Sequence, residues 1–381
     1  MPYWRLSGFY LFYFAALGAL MPFWSLYLKA EGFDAVAIGE LMAILMATKV
    51  VAPNLWGWLA DHTGRRMAVV RLGSLLATVT FAGVFLGSGY AWLAAVMALF
   101  SFFWNAVLPQ FEAVTMNWLG REVHRYTTVR LWGSIGFILT VVGLGAALGA
   151  LGTALLPWVL LLIFAGIWVA SLTVPEQREP AQHSDHSSLR SVLLRPEVAV
   201  FLAVCFLMQA SHGAYYSFYT LYMEGYGYSR GLIGQLWALG VIAEIVLFLW
   251  VPRFLPRFGA QRVLAASLAL AALRWLVIGT QPEHLSVMLL AQLLHAASFG
   301  TYHAAAIHLV HHYFVGRNQG RGQALYSSVS FGAGGAVGSL ASGYLWTGLG
   351  PPSTFIAAGV MAAVAWVLAW AGLRAGAGRE V

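Results

Sequence analysis

Charge is scarce in this chain: Asp, Glu, Lys and Arg together make up 9% of its 381 residues. Soluble globular proteins carry roughly 25% charged residues, so a soluble fold is excluded. Cysteine is almost absent. The one thiol, Cys205, sits inside an apolar run, which leaves no disulfide and no cysteine-based metal cluster to organise a fold. Also missing are a glycine-rich phosphate cradle behind a strand and a Ser-His-Asp arrangement, so neither nucleotide-driven transport nor hydrolase chemistry has its residues. Basic residues outnumber acidic ones, for a formal net charge of +7. They lie in short loops between apolar runs, where they set membrane orientation and form no nucleic-acid surface.

What the chain has is apolar length. It is 60% hydrophobic, with a mean hydropathy of +0.75. Runs of about 20 apolar residues cross a bilayer, and the pattern predicts twelve of them. They fall at 6–29, 37–60, 67–88, 91–118, 129–150, 154–174, 198–223, 232–252, 262–280, 285–314, 323–348 and 353–373. The expected fold is therefore all-α and integral to a membrane. The first run is too long for the core of a signal peptide and has no small-residue cleavage site, so it is expected to stay as helix 1. An even number of spans puts both termini on one side. Arg65, Arg66, Arg121, Arg125, Arg178, Arg190, Arg195, Arg253, Arg257, Arg262, Arg317, Arg321, Arg374 and Arg379 fall in alternate loops or the tail, while the opposite loops hold Lys29 and Arg230. That bias is expected to put both termini in the cytoplasm, and the chain is expected in the plasma (inner) membrane. The longest polar stretch, 175–197, divides an N-terminal six-helix bundle (1–174) from a C-terminal one (198–381).

The loop GWLADHTGRR, Gly57 to Arg66, breaks two apolar runs. Gly57, Asp61, Gly64, Arg65 and Arg66 in that spacing resemble the loop between helices 2 and 3 of the major facilitator superfamily of transporters. A worn copy, PRFLPRFGAQR, follows about two hundred residues later, keeping Gly259 and arginines but carrying Pro256 in place of the aspartate. The resemblance implies two pseudo-symmetric six-helix bundles and a gating role for those five residues. Small residues, Gly143, Gly145 and Gly149 in helix 5 and Gly334, Gly338 and Ser342 at four-residue spacing in helix 11, read as helix-packing positions. Six further segments are similar to the phenylpropionate permease family, a branch near the oligosaccharide and nucleoside proton symporters. They are Pro22–Lys29, Val129–Phe137, Ser211–Tyr222, Leu236–Ile245, Leu273–Trp275 and Gln292–Ala306.

Polar residues inside spans are costly, about 2.5–3.5 kcal/mol for a charge at the helix centre, so each needs a partner or a watery cavity. Glu244, Arg274 and His303 fall near the middle of three consecutive spans and are expected to converge. A glutamate, an arginine and a histidine on helices 8, 9 and 10 resemble the coupling set of the lactose permease, although the glutamate one turn after that histidine is replaced here by Ala306 and Ile307. Glu244 is the first candidate for the coupled proton, with His303 and Glu112 beside it. An apolar wall favours the neutral acid and a nearby guanidinium the carboxylate, so approach and withdrawal of Arg274 would load and unload it. Arg274 is expected to bind the substrate's negative group through its planar fork. Gln292, His295, Phe299 and His303 share a face of helix 10, and Gln209, His212 and Tyr216 share a face of helix 7; both faces suit a cavity wall. Tyr222, near the end of helix 7, is expected in an aromatic belt at the outer interface. Asn105, Pro109 and Glu112 align on helix 4. Lys49 on helix 2 is the expected charge partner of Glu112, and Arg71 and Arg130 lie close enough to the cytoplasmic ends to snorkel.

The function this pattern supports is secondary active transport: symport of a small organic solute, such as an aromatic carboxylate, with protons, by alternating access. Proton-driven export of hydrophobic compounds is the alternative, and a membrane-embedded enzyme a more distant one. The chain is not expected to be an enzyme, to need a cofactor beyond the proton gradient, to bind metal or to bind nucleic acid. Its partners are the solute and the lipid bilayer, and it is expected to act as a monomer.

Overall fold

A computed structural model describes residues 1–176 and 189–373. Among these residues all regular structure is helical. Most of the linker expected at 175–197, with Arg178, Arg374 and Arg379, lies outside the described residues. The spanning helices are α1 (Tyr3–Ala30), α2 (Ala35–Thr63), α3 (Arg66–Leu86), α4 (Tyr90–Leu119), α5 (Tyr126–Leu151) and α6 (Leu155–Thr173). They continue as α7 (Pro196–Gly225), α8 (Arg230–Phe248), α9 (Ala260–Thr280), α10 (Leu285–Tyr313) and, after α11, α12 (Pro351–Gly372). Those eleven are long and apolar enough to cross a membrane. A twelfth long helix, α11, runs through Gln319–Ser327, a π-helical Ser328–Gly334 and Gly335–Leu349; its many glycines and serines keep its hydropathy lower.

Large apolar side chains such as Val79, Leu139, Leu162, Leu290 and Val360 are exposed along these helices. In water such a surface would aggregate, and in a bilayer it is the surface lipid requires. Helix ends are set locally. Asp34 accepts from the backbone N–H of Ala37 at 2.8 Å to start α2, and Gly64, at a φ of +63°, closes it in a conformation that glycine adopts without strain. The segment expected as a loop at Pro252–Arg262 instead forms a short helix, Val251–Phe258, before α9.

By their contacts the described residues divide into two units, the first holding α1–α6 with Tyr228–Ala238 and the second holding the rest. In the first, α1 packs on α5 and α6, α3 on α4 and α6, and α2 on α4. The second repeats this pattern: α7 packs on α11 and α12, and α9 on α10 and α12. The tightest equivalent seams are built on glycine. A Cβ at Gly136 of α5 would come 2.1 Å from the Leu11 carbonyl oxygen of α1, and one at Gly338 of α11 would come 2.1 Å from the Ala210 carbonyl oxygen of α7. Gly143 and Gly149, expected to serve that purpose, face open space. Gly145 meets the backbone of Arg230 and Gly234, so the first half of α8 goes with the first unit.

Candidate functional site

In the second unit a fully buried guanidinium organises the polar groups. Arg274 of α9 is 0% exposed. Its Nε donates to the Ala291 carbonyl at 2.9 Å and its Nη2 to Oε1 of Gln292 at 3.2 Å. Its Nη1 lies 3.0 Å from Nδ1 of His295 and 3.5 Å from Oγ of Ser298. The guanidinium carbon stands 4.4 Å from the ring centres of both Tyr215 and Trp275, so the cation has aromatic faces beside it as well as acceptors at its edge. All these acceptors are neutral.

Those contacts decide the state of the neighbours. A guanidinium has donors and no acceptor, so Nδ1 of His295 must accept and Nε2 carries the ring hydrogen. Nε2 lies 3.8 Å from Oε2 of Glu244. The order is therefore Arg274, His295, Glu244. His303, expected as the histidine of this group, sits further along α10: its ring stacks on Phe299 at 6.3 Å and its Nδ1 lies 3.2 Å from the hydroxyl of Tyr326. His295 and Phe299 are also stacked, at 5.3 Å and 7°. The face Gln292–His295–Phe299–His303 thus survives a π-helical segment at Ala296–Thr301, a widening of the helix frequent at functional sites. Glycines make the room. A Cβ at Gly300 would come 3.0 Å from Cγ of Glu244, and one at Gly240 of α8 would come 3.2 Å from the His295 ring.

Around this line lies an aromatic wall from α7, α9 and α10. His212 packs against Trp275 at 4.9 Å, Tyr216 at 5.8 Å and Phe299 at 5.9 Å, and Tyr215 lies 5.8 Å from His295. The Tyr215 hydroxyl donates to Oε1 of Gln292 at 2.9 Å. Gln209 is buried with its Nε2 lacking a hydrogen-bond partner, as is Nε2 of His212. Tyr222, expected at the outer interface, is buried and donates to the Gly279 carbonyl at 3.1 Å.

The first unit departs further from expectation. Lys49 does not partner Glu112; its ammonium contacts Sδ of Met46 at 3.4 Å. Glu112 is met by α5 instead: the Tyr126 hydroxyl donates to it at 3.3 Å and Nε of Arg130 lies 3.9 Å away. Arg130 does not snorkel to the end of its helix but lies over Phe14, 3.7 Å from the ring centre. Asn105 spends its amide on structure, donating to the Leu45 carbonyl at 3.1 Å and to Thr48 at 2.9 Å, which ties α4 to α2. At the loop between α2 and α3, Asp61 pairs with Arg66 at 2.5 Å and Arg66 also donates to Gln110 at 2.8 Å, beside Gly57. Arg65, expected to act with Asp61, is exposed. Glu176 was not anticipated: it accepts from the Met67 N–H at the start of α3, at 3.1 Å, and lies 3.6 Å from Arg71.

An all-helical membrane chain with two repeated units and charged groups buried within its helices has the architecture of a major facilitator transporter. The chain belongs to the MFS_1 like family, whose model matches residues 3–357. It is 28% identical over 360 residues to a probable 3-phenylpropionic acid transporter of Escherichia coli (strain K12), covering 91% of this chain and 92% of that one. It is 26% identical over 344 residues to a maltose permease of Geobacillus stearothermophilus, covering 88% and 86%. Its fold matches the crystal structure of the nucleoside transporter NupG with a TM-score of 0.82 at 18% identity, over 98% of this chain and 99% of that one. The relatives are transporters, and the protein is a multi-pass membrane transporter rather than an enzyme.

Proposed function

We propose that the protein is a proton-coupled importer of a small organic acid with an aromatic ring, working by alternating access. The observation that carries this reading is Arg274, a permanent cation held by neutral acceptors, flanked by aromatic faces and joined through His295 to Glu244. A solute carboxylate is the group that would neutralise that cation with two parallel bonds, and Tyr215, Tyr216, Trp275 and Phe299 offer flat faces to an aryl ring. The solute-binding set is then Arg274, Gln292, His295, His212 and Tyr216.

Coupling follows from which group Arg274 serves. Without solute, its Nη1 donates to His295 and keeps Nδ1 from taking a proton. When a carboxylate draws the guanidinium away, the His295–Glu244 pair gains an open acceptor and takes up one proton; when the solute leaves, Arg274 returns and the proton departs. One solute is thereby coupled to one proton, with the gradient as the energy source and no cofactor. In this reading a monomer sits in the plasma (inner) membrane with both termini cytoplasmic, the side to which the arginine-rich loops are assigned. Asp61 and Arg66 hold the gate on that side.

The test is proton flux in proteoliposomes without an imposed gradient. Adding an aryl carboxylate outside should alkalinise the external medium as acid and protons enter together. External acidification would instead mark an antiporter and favour export of hydrophobic compounds, and no proton movement with solute uptake would remove the coupling.

A further inference from the structure

Two buried side chains next to Arg274 have their hydrogen-bonding sense fixed by their neighbours and one end left over. His212 is 0% exposed, and its Nδ1 lies 2.9 Å from the carbonyl of Met208. A carbonyl only accepts, so Nδ1 carries the hydrogen and Nε2 presents a lone pair. That Nε2 has no hydrogen-bond partner among the described residues. Gln292 is also 0% exposed, and its Oε1 receives Nη2 of Arg274 and the Tyr215 hydroxyl, which fixes the amide orientation and leaves Nε2 as an unpartnered donor.

An orphaned buried polar atom is destabilising, and two of them beside one cation point to an occupant. A bridging water needs about two to four polar partners, whereas the neighbours packed on His212 are the rings of Trp275, Tyr216 and Phe299. What suits this surface is a flat molecule that donates a hydrogen bond from its ring end and accepts bonds at its acidic end. Resting on the reading of Arg274 as the acid-binding residue, we propose that the solute is a ring-hydroxylated aryl carboxylate. Nε2 of His212 selects it by accepting the hydroxyl hydrogen, while Gln292 Nε2 and Arg274 hold the carboxylate. Sites built to pair a solute hydroxyl discriminate against the analogue that lacks it, because the protein group is then left unpaired. His212 is thus a specificity residue and plays no part in proton coupling.

The experiment measures affinities of the purified full-length protein for 3-phenylpropionate, its ring-hydroxylated isomers and the matching methyl ethers. At least one hydroxylated isomer is expected to bind about tenfold or more tightly than the parent acid, and its methyl ether, which keeps the oxygen and loses the donor, is expected to lose that advantage. In His212→Phe the hydroxyl-to-parent ratio is expected to fall to within about twofold. His212→Gln, which can offer an amide oxygen, should restore part of it. Equal binding of hydroxylated and parent acids overturns the proposal and leaves the acid reading standing. So does a methyl ether as tight as the phenol, or a preference that persists in His212→Phe. Binding of none of these acids by protein that melts cooperatively refutes the acid reading, and this proposal with it.

Discussion

Nη1 of Arg274 lies 3.0 Å from Nδ1 of His295, with Glu244 3.8 Å from the other ring nitrogen. A protonated imidazole cannot occupy that position, since two cations would then meet donor to donor. Arginine and proton therefore compete for one lone pair. Any event that draws the arginine away makes the histidine–glutamate pair a proton acceptor.

Glu244→Gln keeps the shape of the acid and removes its titration. The variant should bind and exchange solute across the membrane in counterflow, since exchange needs no net proton movement, yet fail to accumulate solute under an inward proton gradient. Counterflow and gradient-driven uptake are read in the same vesicles. Normal accumulation would move the proton to another group, with His295 and Glu112 next to be tested.

Arg274→Lys keeps the charge and loses the fork. One ammonium cannot serve the Ala291 carbonyl, His295 and Gln292 at once, and each acceptor left bare costs about 1–3 kcal/mol. The variant should melt at a lower temperature and bind an aryl carboxylate more weakly by about tenfold or more, with a smaller change for a neutral aryl alcohol. Equal losses for acid and alcohol would remove the anion-binding role.

The residues that are hard to read from sequence share a cause. Counting along an apolar run gives the depth of a charge in the membrane but not the side of the helix it faces. Depth alone matches Glu112 with Lys49, whereas the helix that brings a cation to Glu112 is α5, where Arg130 lies one turn past Tyr126. Depth likewise favours His303 over His295, and the order Arg274, His295, Glu244 depends on a π-helical stretch, Ala296–Thr301, whose composition resembles the rest of α10. Helix number and approximate ends are legible because lipid demands about 20 apolar residues per span and the loops between are polar. The exception at Val251–Phe258 is a short helix too polar to cross. Glycine spacing points to the right helices in both halves, although in α5 the close contact falls at Gly136, earlier than Gly143.

That difference is measurable. At Gly338 an added methyl would meet backbone of α7, which has no flexible end to yield, so Gly338→Ala should destabilise by about 1–3 kcal/mol. Gly136→Ala should do the same against α1. Gly143→Ala and Gly149→Ala, facing open space, should leave the melting temperature unchanged or raise it slightly, because alanine favours helix. Thermal unfolding of the four variants in one detergent separates the cases. A fall in all four would mean that the spacing itself, rather than contact with a neighbouring helix, governs packing.

The loop between α2 and α3 distinguishes two adjacent arginines. Arg66 reaches both Asp61 and Gln110 and ties the end of α2 to α4, whereas Arg65 is exposed. Asp61 is itself half exposed, with 49% of its side chain accessible, so the pair contributes little to stability, within about 1 kcal/mol. Its value is positional, since it fixes the entry to α3 where Glu176 also binds. Asp61→Asn and Arg66→Ala should therefore melt close to the parent yet slow transport severalfold, while Arg65→Ala should leave the rate close to the parent's. Transport rates are compared at equal amounts of folded protein. If Arg65→Ala slows transport as much as Arg66→Ala, the loop acts through its total positive charge at the membrane surface, and the Asp61–Arg66 bond is not the gate.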